Sequence, residues 1–220
     1  MFIANPWRAG LAALLLIAGV QAPAAAGEIR VAVIADGAPL EGAVVSLHGV
    51  AGPEPGTAVM DQRNTAFEPG VLVVQAGTAV SFPNSDTVRH QVYSFSPAKP
   101  FELPLYAGTP PDPVVFDQPG IVVVGCNIHD WMIGWIVVLD TPHHARSDAD
   151  GALRLVVPDG DYLLRAWHPR LAGDPVEREV SVPAQPLSIE LALGPPPPER
   201  RGSERLRALQ DRLRSLRKDD

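Results

Sequence analysis

The sequence predicts an all-β protein: two small β-sandwich modules, with one amphipathic helix at the C-terminal end. Three observations predict it. Breakers are dense, with 24 prolines and 19 glycines in 220 residues, so the stretches between them are short. Those stretches alternate apolar and polar residues with the period of a strand. About 46% of residues are hydrophobic, enough to give each module a core. Many short strands separated by turn residues suit sandwiches better than helical bundles.

Residues 1–26 stand apart. Arg8 precedes the apolar run LAALLLIAGV at 11–20, and Ala24-Ala25-Ala26 follows. A positive start, a short apolar stretch and an A-x-A site describe a secretory signal peptide, with cleavage expected after Ala26. The run falls well short of the ~20 residues a membrane span needs. No later segment is as long and apolar, so an exported, soluble mature chain without a membrane span is expected, in a bacterial cell in the periplasm.

The elements then follow in order. In EIRVAVIADGAPLEGAVVSLHG, Ile29, Val31 and Val33 alternate, Asp36-Gly37 turns the chain, and 43–47 reads as a second strand. A loop rich in Gly and Pro fills 49–56. In the block 57–141, Phe67-Glu68-Pro69-Gly70 leads into VLVVQ, and Ala76-Gly77 turns it into TAVSF. Residues 83–86 (PNSD) form a loop, HQVYSFS a strand, and 97–113 a Pro-rich loop. VVFDQPGIVVVGC reads as two strands around Gln118-Pro119-Gly120, and MIGWIVVLD closes the block. Over 142–194, Asp150-Gly151 and Asp159-Gly160 punctuate further alternating runs. Four prolines at 195–198 make a stiff spacer. Beyond them Leu206, Leu209, Leu213 and Leu216 line one face of a helical tail over 199–220. A lone helix this short is marginal in water, so the tail is expected to pair two protomers or dock on the body or a partner.

Charge is uneven. Between 27 and 198 there are 20 acidic and 9 basic side chains, a net of −11; from 199 onward there are 5 and 8, a net of +3. An acidic body argues against nucleic acid as a partner.

The chemistry concentrates in GCNIHDWMIGWIVV. Cys126 is the only cysteine of the chain. Exported proteins usually carry cysteines in pairs, so a lone one is either an inert buried thiol or held by something else, such as a metal. His129 and Met132 follow at steps of three, and His90 stands at the start of an earlier strand. One thiolate, two imidazoles and a weak thioether form the donor set of a blue-copper electron-transfer centre. Thiolate and thioether favour Cu(I), while the imidazoles tolerate Cu(II). Zinc is the chemical rival, since Cys and His suit it, but a methionine as fourth ligand disfavours it.

FEPGVLVVQAGTAVSFPNSDTVRHQVYSFS resembles the first-ligand half of a cupredoxin, and GCNIHDWMIGWIVV its ligand loop. The C-x2-H-x2-M spacing is similar to that of amicyanin. Over 57–141 the resemblance implies a Greek-key β-sandwich holding one copper ion, with His90, Cys126 and His129 as strong ligands, Met132 axial and Asn84 bracing the loop. Cupredoxins commonly carry Asn after the first histidine ligand; here Gln91 stands there, which puts any hydrogen bond borrowed from that Asn in doubt. GAPLEGAVVSLHG and SDADGALRLVVPDGDYLLRAWHP resemble the strands of a carboxypeptidase-regulatory or transthyretin-like sandwich. That module would be discontinuous, made of 28–50 and 142–194, with the cupredoxin inserted in a surface loop. The alternative is two domains in tandem.

The resemblance implies a periplasmic carrier of single electrons, working with a dehydrogenase or cytochrome in amine oxidation or respiration. Copper trafficking or buffering, and an envelope scaffold role, are the alternatives. An enzyme is not expected, because four protein ligands leave no open position. His143 and His144 read as solvated linker residues, with a second metal site as the other reading. His168 reads as a structural residue beside Trp167, and Trp135 as core. Trp131 reads either as core or as part of an apolar docking patch.

Overall fold

The computed structural model describes residues 26–49, 52–110 and 112–196. Residues 1–25 of the expected signal segment, Pro197, Pro198 and the expected helical tail over 199–220 lie outside them. Among the described residues every regular element is a strand, and no helix is long and apolar enough to cross a membrane.

The first strands are β1 (Ala26–Ala35), β2 (Ala38–Pro39) and β3 (Val44–His48). The middle block holds β4 (Thr57–Val59), β5 (Asp61–Arg63), β6 (Ala66–Glu68), β7 (Val71–Gln75) and β8 (Thr78–Ser81). It continues with β9 (His90–Ser94), β10 (Phe101–Tyr106), β11 (Val114–Phe116), β12 (Gly120–Gly125) and β13 (Ile133–Leu139). The last strands are β14 (His144–Arg146), β15 (Ala152–Pro158), β16 (Gly160–Trp167), β17 (Val176–Val182) and β18 (Leu187–Glu190).

The first and last groups pair with each other. β1 lies between β15 and β18, and β3 lies between β14 and β16, with β17 outside. The two sheets enclose one apolar cluster that includes Ile29, Val31, Val33, Val45, Leu47, Leu155 and Leu164. Alternation explains which residues enter it: Ile29, Val31 and Val33 point inward from β1, and Leu153, Leu155 and Val157 from its partner β15. Asp36 and Gly37, with φ of 51° and 74°, form the tight turn between β1 and β2 that the Asp-Gly pair predicts.

The middle block makes its own pair of sheets, β10-β9-β12-β13-β7 and β11-β8-β4, with the hairpin β5–β6 beside them. Their core includes Phe82, Phe116, Val122, Val124, Ile136 and Val138, and takes in Cys126 and Met132.

β3 and β13 break the alternation rule, and for one reason. All five residues of β3 are buried, and so is the end of β13 from Ile136 to Leu139. Each has a second covered face. Val44 of β3 and Trp167 of β16 meet Val137 and Leu139 of β13 in a third cluster that joins the two pairs of sheets. Polar bonds close the same junction where the chain leaves β3 and returns toward β14. His48 Nδ1 donates to Asp140, Ser46 Oγ lies 2.7 Å from His48 Nε2, and Thr141 Oγ1 donates to the carbonyl of Leu47 (2.7 Å).

Two expectations change. The Pro-rich stretch 97–113 contains β10 rather than only loop. β10 is an edge strand, so Pro104 removes no ladder bond from a central position, and the register shifts between Leu103 and Tyr106 around it. The two strands expected around Gln118-Pro119-Gly120 are β11 and β12, which go to different sheets: β11 pairs with β8 and β12 with β13. His143 and His144 are not solvated linker residues. Both are half-buried, and His144 lies in β14 opposite Ser46.

Gly151 offers a direct check of this packing. A Cβ there would lie 2.4 Å from the carbonyl oxygen of Val33 and 3.0 Å from the amide of Leu40, at φ +71°. Gly151→Ala is expected to lower unfolding free energy by about 2 kcal/mol or more, because strained backbone and overpacking add. Urea denaturation of both proteins measures it.

Candidate metal centre

Three strand ends place the expected ligands. His90 opens β9, Cys126 follows the last residue of β12, and the loop 126–132 leads into β13. Pairing of Gly125 with Ile133 carries the β12–β13 ladder to the mouth of that loop, and pairing of Gly125 with Tyr93 brings β9 alongside. The loop closes on itself: the amide of Cys126 donates to the carbonyl of Met132 (3.2 Å), and the amide of Met132 to the carbonyl of His129 (2.9 Å). Cys126 and Met132 therefore sit at its neck, with His129 between them.

The result is a compact donor set. Cys126 Sγ lies 3.7 Å from His90 Nδ1 and 3.8 Å from His129 Nδ1. The ligating atoms of His90, Cys126 and His129 all fall within 4.8 Å of one another, close enough to share one ion. His90 is fully buried, Cys126 and Met132 nearly so, and His129 is half-buried. Met132 lies in the same apolar cluster as Cys126.

A hydrogen-bonded shell surrounds the set. Asp86 Oδ2 accepts from His90 Nε2 (2.8 Å) and from the amide of Thr65 (2.7 Å), and Oδ1 accepts from the amide of Asn64 (3.0 Å). Burial works to raise the Asp86 pKa. The Thr65 amide, His90 and the Asn64 amide outweigh it and hold the carboxyl below its ordinary value. Asn84, buried, donates to the carbonyls of Val88 and Tyr106 (2.9 Å each) and accepts from the amide of Asp86 (3.0 Å). Tyr106 donates to the carbonyl of Phe82 (2.6 Å), and burial pushes its pKa up to about 12. Gln91 turns away, donating to Glu102 at the surface (2.6 Å).

Trp131 packs against His129 with ring centroids 5.3 Å apart and planes tilted by 56°, and its indole Nε1 is buried without a hydrogen-bond partner. Ile128 and Val88, near the same rim in sequence, are about half exposed. Trp135 packs in the cluster between the two pairs of sheets. His168 accepts from the amide of Arg170 (3.1 Å) in a turn, as expected of a structural residue. Asp86 is the residue that sequence reasoning passed over. Its signal was a carboxylate four positions before a histidine, a spacing usually read only on helices.

The donor chemistry fits a transition metal. A thiolate with two neutral imidazoles suits copper, and also zinc. The tautomer of His90 fits as well: its Nε2 hydrogen is engaged by Asp86, so the lone pair of a neutral ring sits on Nδ1, facing the sulfur.

No family model and no curated protein matches the chain. Solved structures similar to part of it include a purple cupredoxin from Nitrosopumilus maritimus, at 23% identity over 38% of this chain and 99% of that one, with a TM-score of 0.33. An oxidized amicyanin mutant is 21% identical over 37% of this chain and 81% of its own, with a TM-score of 0.35. A pseudoazurin from Sinorhizobium meliltoi is 24% identical over 40% and 76%, with a TM-score of 0.31.

Asn84→Ala should separate bracing from binding. It leaves the part-buried carbonyls of Val88 and Tyr106 without their shared donor, at a cost of about 1–2 kcal/mol. Thermal or urea unfolding of the metal-free protein is expected to show that loss. Unchanged stability would mean that other donors replace Asn84.

Proposed function

We propose that this chain is a type 1 copper protein that carries single electrons in the periplasm; His90, Cys126 and His129 would be the strong ligands and Met132 the weak one. The observation that carries this reading is the convergence of one thiol and two imidazole Nδ1 atoms within 4.8 Å at the ends of paired strands. Copper held there supplies a one-electron Cu(I)/Cu(II) couple.

The protein's own groups make such a couple useful. Cys126 and His90 are fixed by the β12–β13 ladder and the β9 strand start, so the donor geometry does not depend on a flexible segment. The apolar packing of Met132 and Cys126 keeps water from the inner side. His129 is the half-buried member and packs against Trp131, which would make this edge the route by which an electron enters and leaves. Carrying electrons needs no open coordination position, in keeping with a non-enzymatic role. A periplasmic dehydrogenase or cytochrome is the kind of partner this role requires, and the tail that the sequence predicts over 199–220 is proposed to pair or dock.

Loading the exported protein with copper tests the reading. One equivalent is expected to give an intense visible charge-transfer band. Cys126→Ser should abolish it, because a serine oxygen cannot give the sulfur-to-copper transition. Met132→Leu should keep copper and colour and raise the potential, since losing a donor destabilises Cu(II) more than Cu(I). Rapid oxidation and reduction by a cytochrome separates a carrier from a copper store. A full band in Cys126→Ser, or an unmoved potential in Met132→Leu, would overturn the ligand roles.

A further inference from the structure

Asp86 is not one of the expected ligands, yet both of its carboxylate oxygens are committed. Oδ2 takes hydrogens from His90 Nε2 and the Thr65 amide, and Oδ1 from the Asn64 amide. The two amides belong to the tip of the β5–β6 hairpin, where Asn64 and Thr65 have φ of 52° and 56°. A β-branched residue rarely adopts that conformation, and strain of this kind persists where the surroundings over-determine it. Here the turn aims two consecutive N–H groups at one carboxylate.

We propose that Asp86, clamped by the amides of Asn64 and Thr65, is the positioning residue of the metal centre, fixing the ring orientation and tautomer of His90 and lowering the reduction potential. The claim on the potential rests on the copper reading; the claim on the tautomer does not. A carboxylate can only accept, so it holds the proton on Nε2 and leaves the lone pair on Nδ1, 3.7 Å from the Cys126 sulfur. His90 has no exposed surface, so no solvent contact competes for its orientation. A carboxylate on the outer nitrogen also makes the ring a stronger donor, which favours the more highly charged state of a bound metal. The clamp works at a distance. The hairpin tip is more than twenty positions before His90 in the chain, and reaches it through Asp86.

Two variants separate position from charge. Asp86→Asn keeps an oxygen opposite Nε2 and removes the charge; Asp86→Ala removes both. In the metal-free protein, long-range proton–nitrogen NMR of His90 is expected to show the single Nε2–H tautomer in the wild type and in Asp86→Asn, and a mixture in Asp86→Ala. In the copper-loaded protein, Asp86→Asn is expected to shift the relative affinity for Cu(II) and Cu(I) about tenfold, raising the potential by about 59 mV. Asp86→Ala should bind copper about 10–100-fold more weakly. A retained single tautomer in Asp86→Ala, or an unmoved potential in Asp86→Asn, overturns the proposal. If Asp86→Ala does not fold, the potential of Asp86→Asn decides. If the wild type gives no copper band, the copper reading fails, and the tautomer of the metal-free proteins decides the positioning role on its own.

Discussion

The candidate metal centre depends on two backbone hydrogen bonds that close the loop between Cys126 and Met132. The bond from Cys126 to Met132 extends the β12–β13 ladder by one contact past the Gly125–Ile133 pair, and the bond from Met132 to His129 tightens the turn, so the sulfur of Cys126 is aimed by a sheet and not by a free loop. With the neck tied, the residues between must turn tightly, and His129 comes within 3.8 Å of the thiol. His90 needs only that β9 lie beside β12, which the Gly125–Tyr93 pair secures. Three donors spread over forty positions of sequence therefore meet through ordinary strand pairing.

β13 connects this centre to the rest of the molecule. Its first residue leaves the ligand loop, and its last residues lie in the cluster with Val44 and Trp167. Directly after it, Asp140 meets His48, where the chain passed from β3 into the middle block. The strand is thus held along both faces and anchored at its far end. If copper binds there as proposed, a rigid strand behind the loop 126–132 would resist rearrangement on each change of its oxidation state.

The legible parts of the sequence were those governed by local periodicity. Ile29, Val31 and Val33 declared β1, Asp36-Gly37 declared its turn, and the all-β class followed from many such runs. The group of His90, Cys126 and His129 was legible because few other roles bring a lone cysteine, a histidine and a methionine together at steps of three. What was not legible depends on neighbours. β10 was hidden because Pro104 forbids a central strand and only the sheet order reveals an edge. The β5–β6 hairpin was hidden because Asn-Thr is a poor tight turn, held in place by a carboxylate more than twenty residues away. The burial of His143 and His144 follows from β14 pairing with β3, a contact across roughly a hundred residues. Asp86 combines both difficulties, since its partners are a strained turn on one side and a buried imidazole on the other.

The central claim is that one sulfur and two imidazole nitrogens bind a single copper ion. X-ray absorption at the copper edge of the loaded, full-length protein tests it most directly. The account requires one short sulfur scatterer and two nitrogen scatterers of imidazole type, with the sulfur lost in Cys126→Ser. A first shell of nitrogen and oxygen alone, unchanged by that substitution, would contradict it.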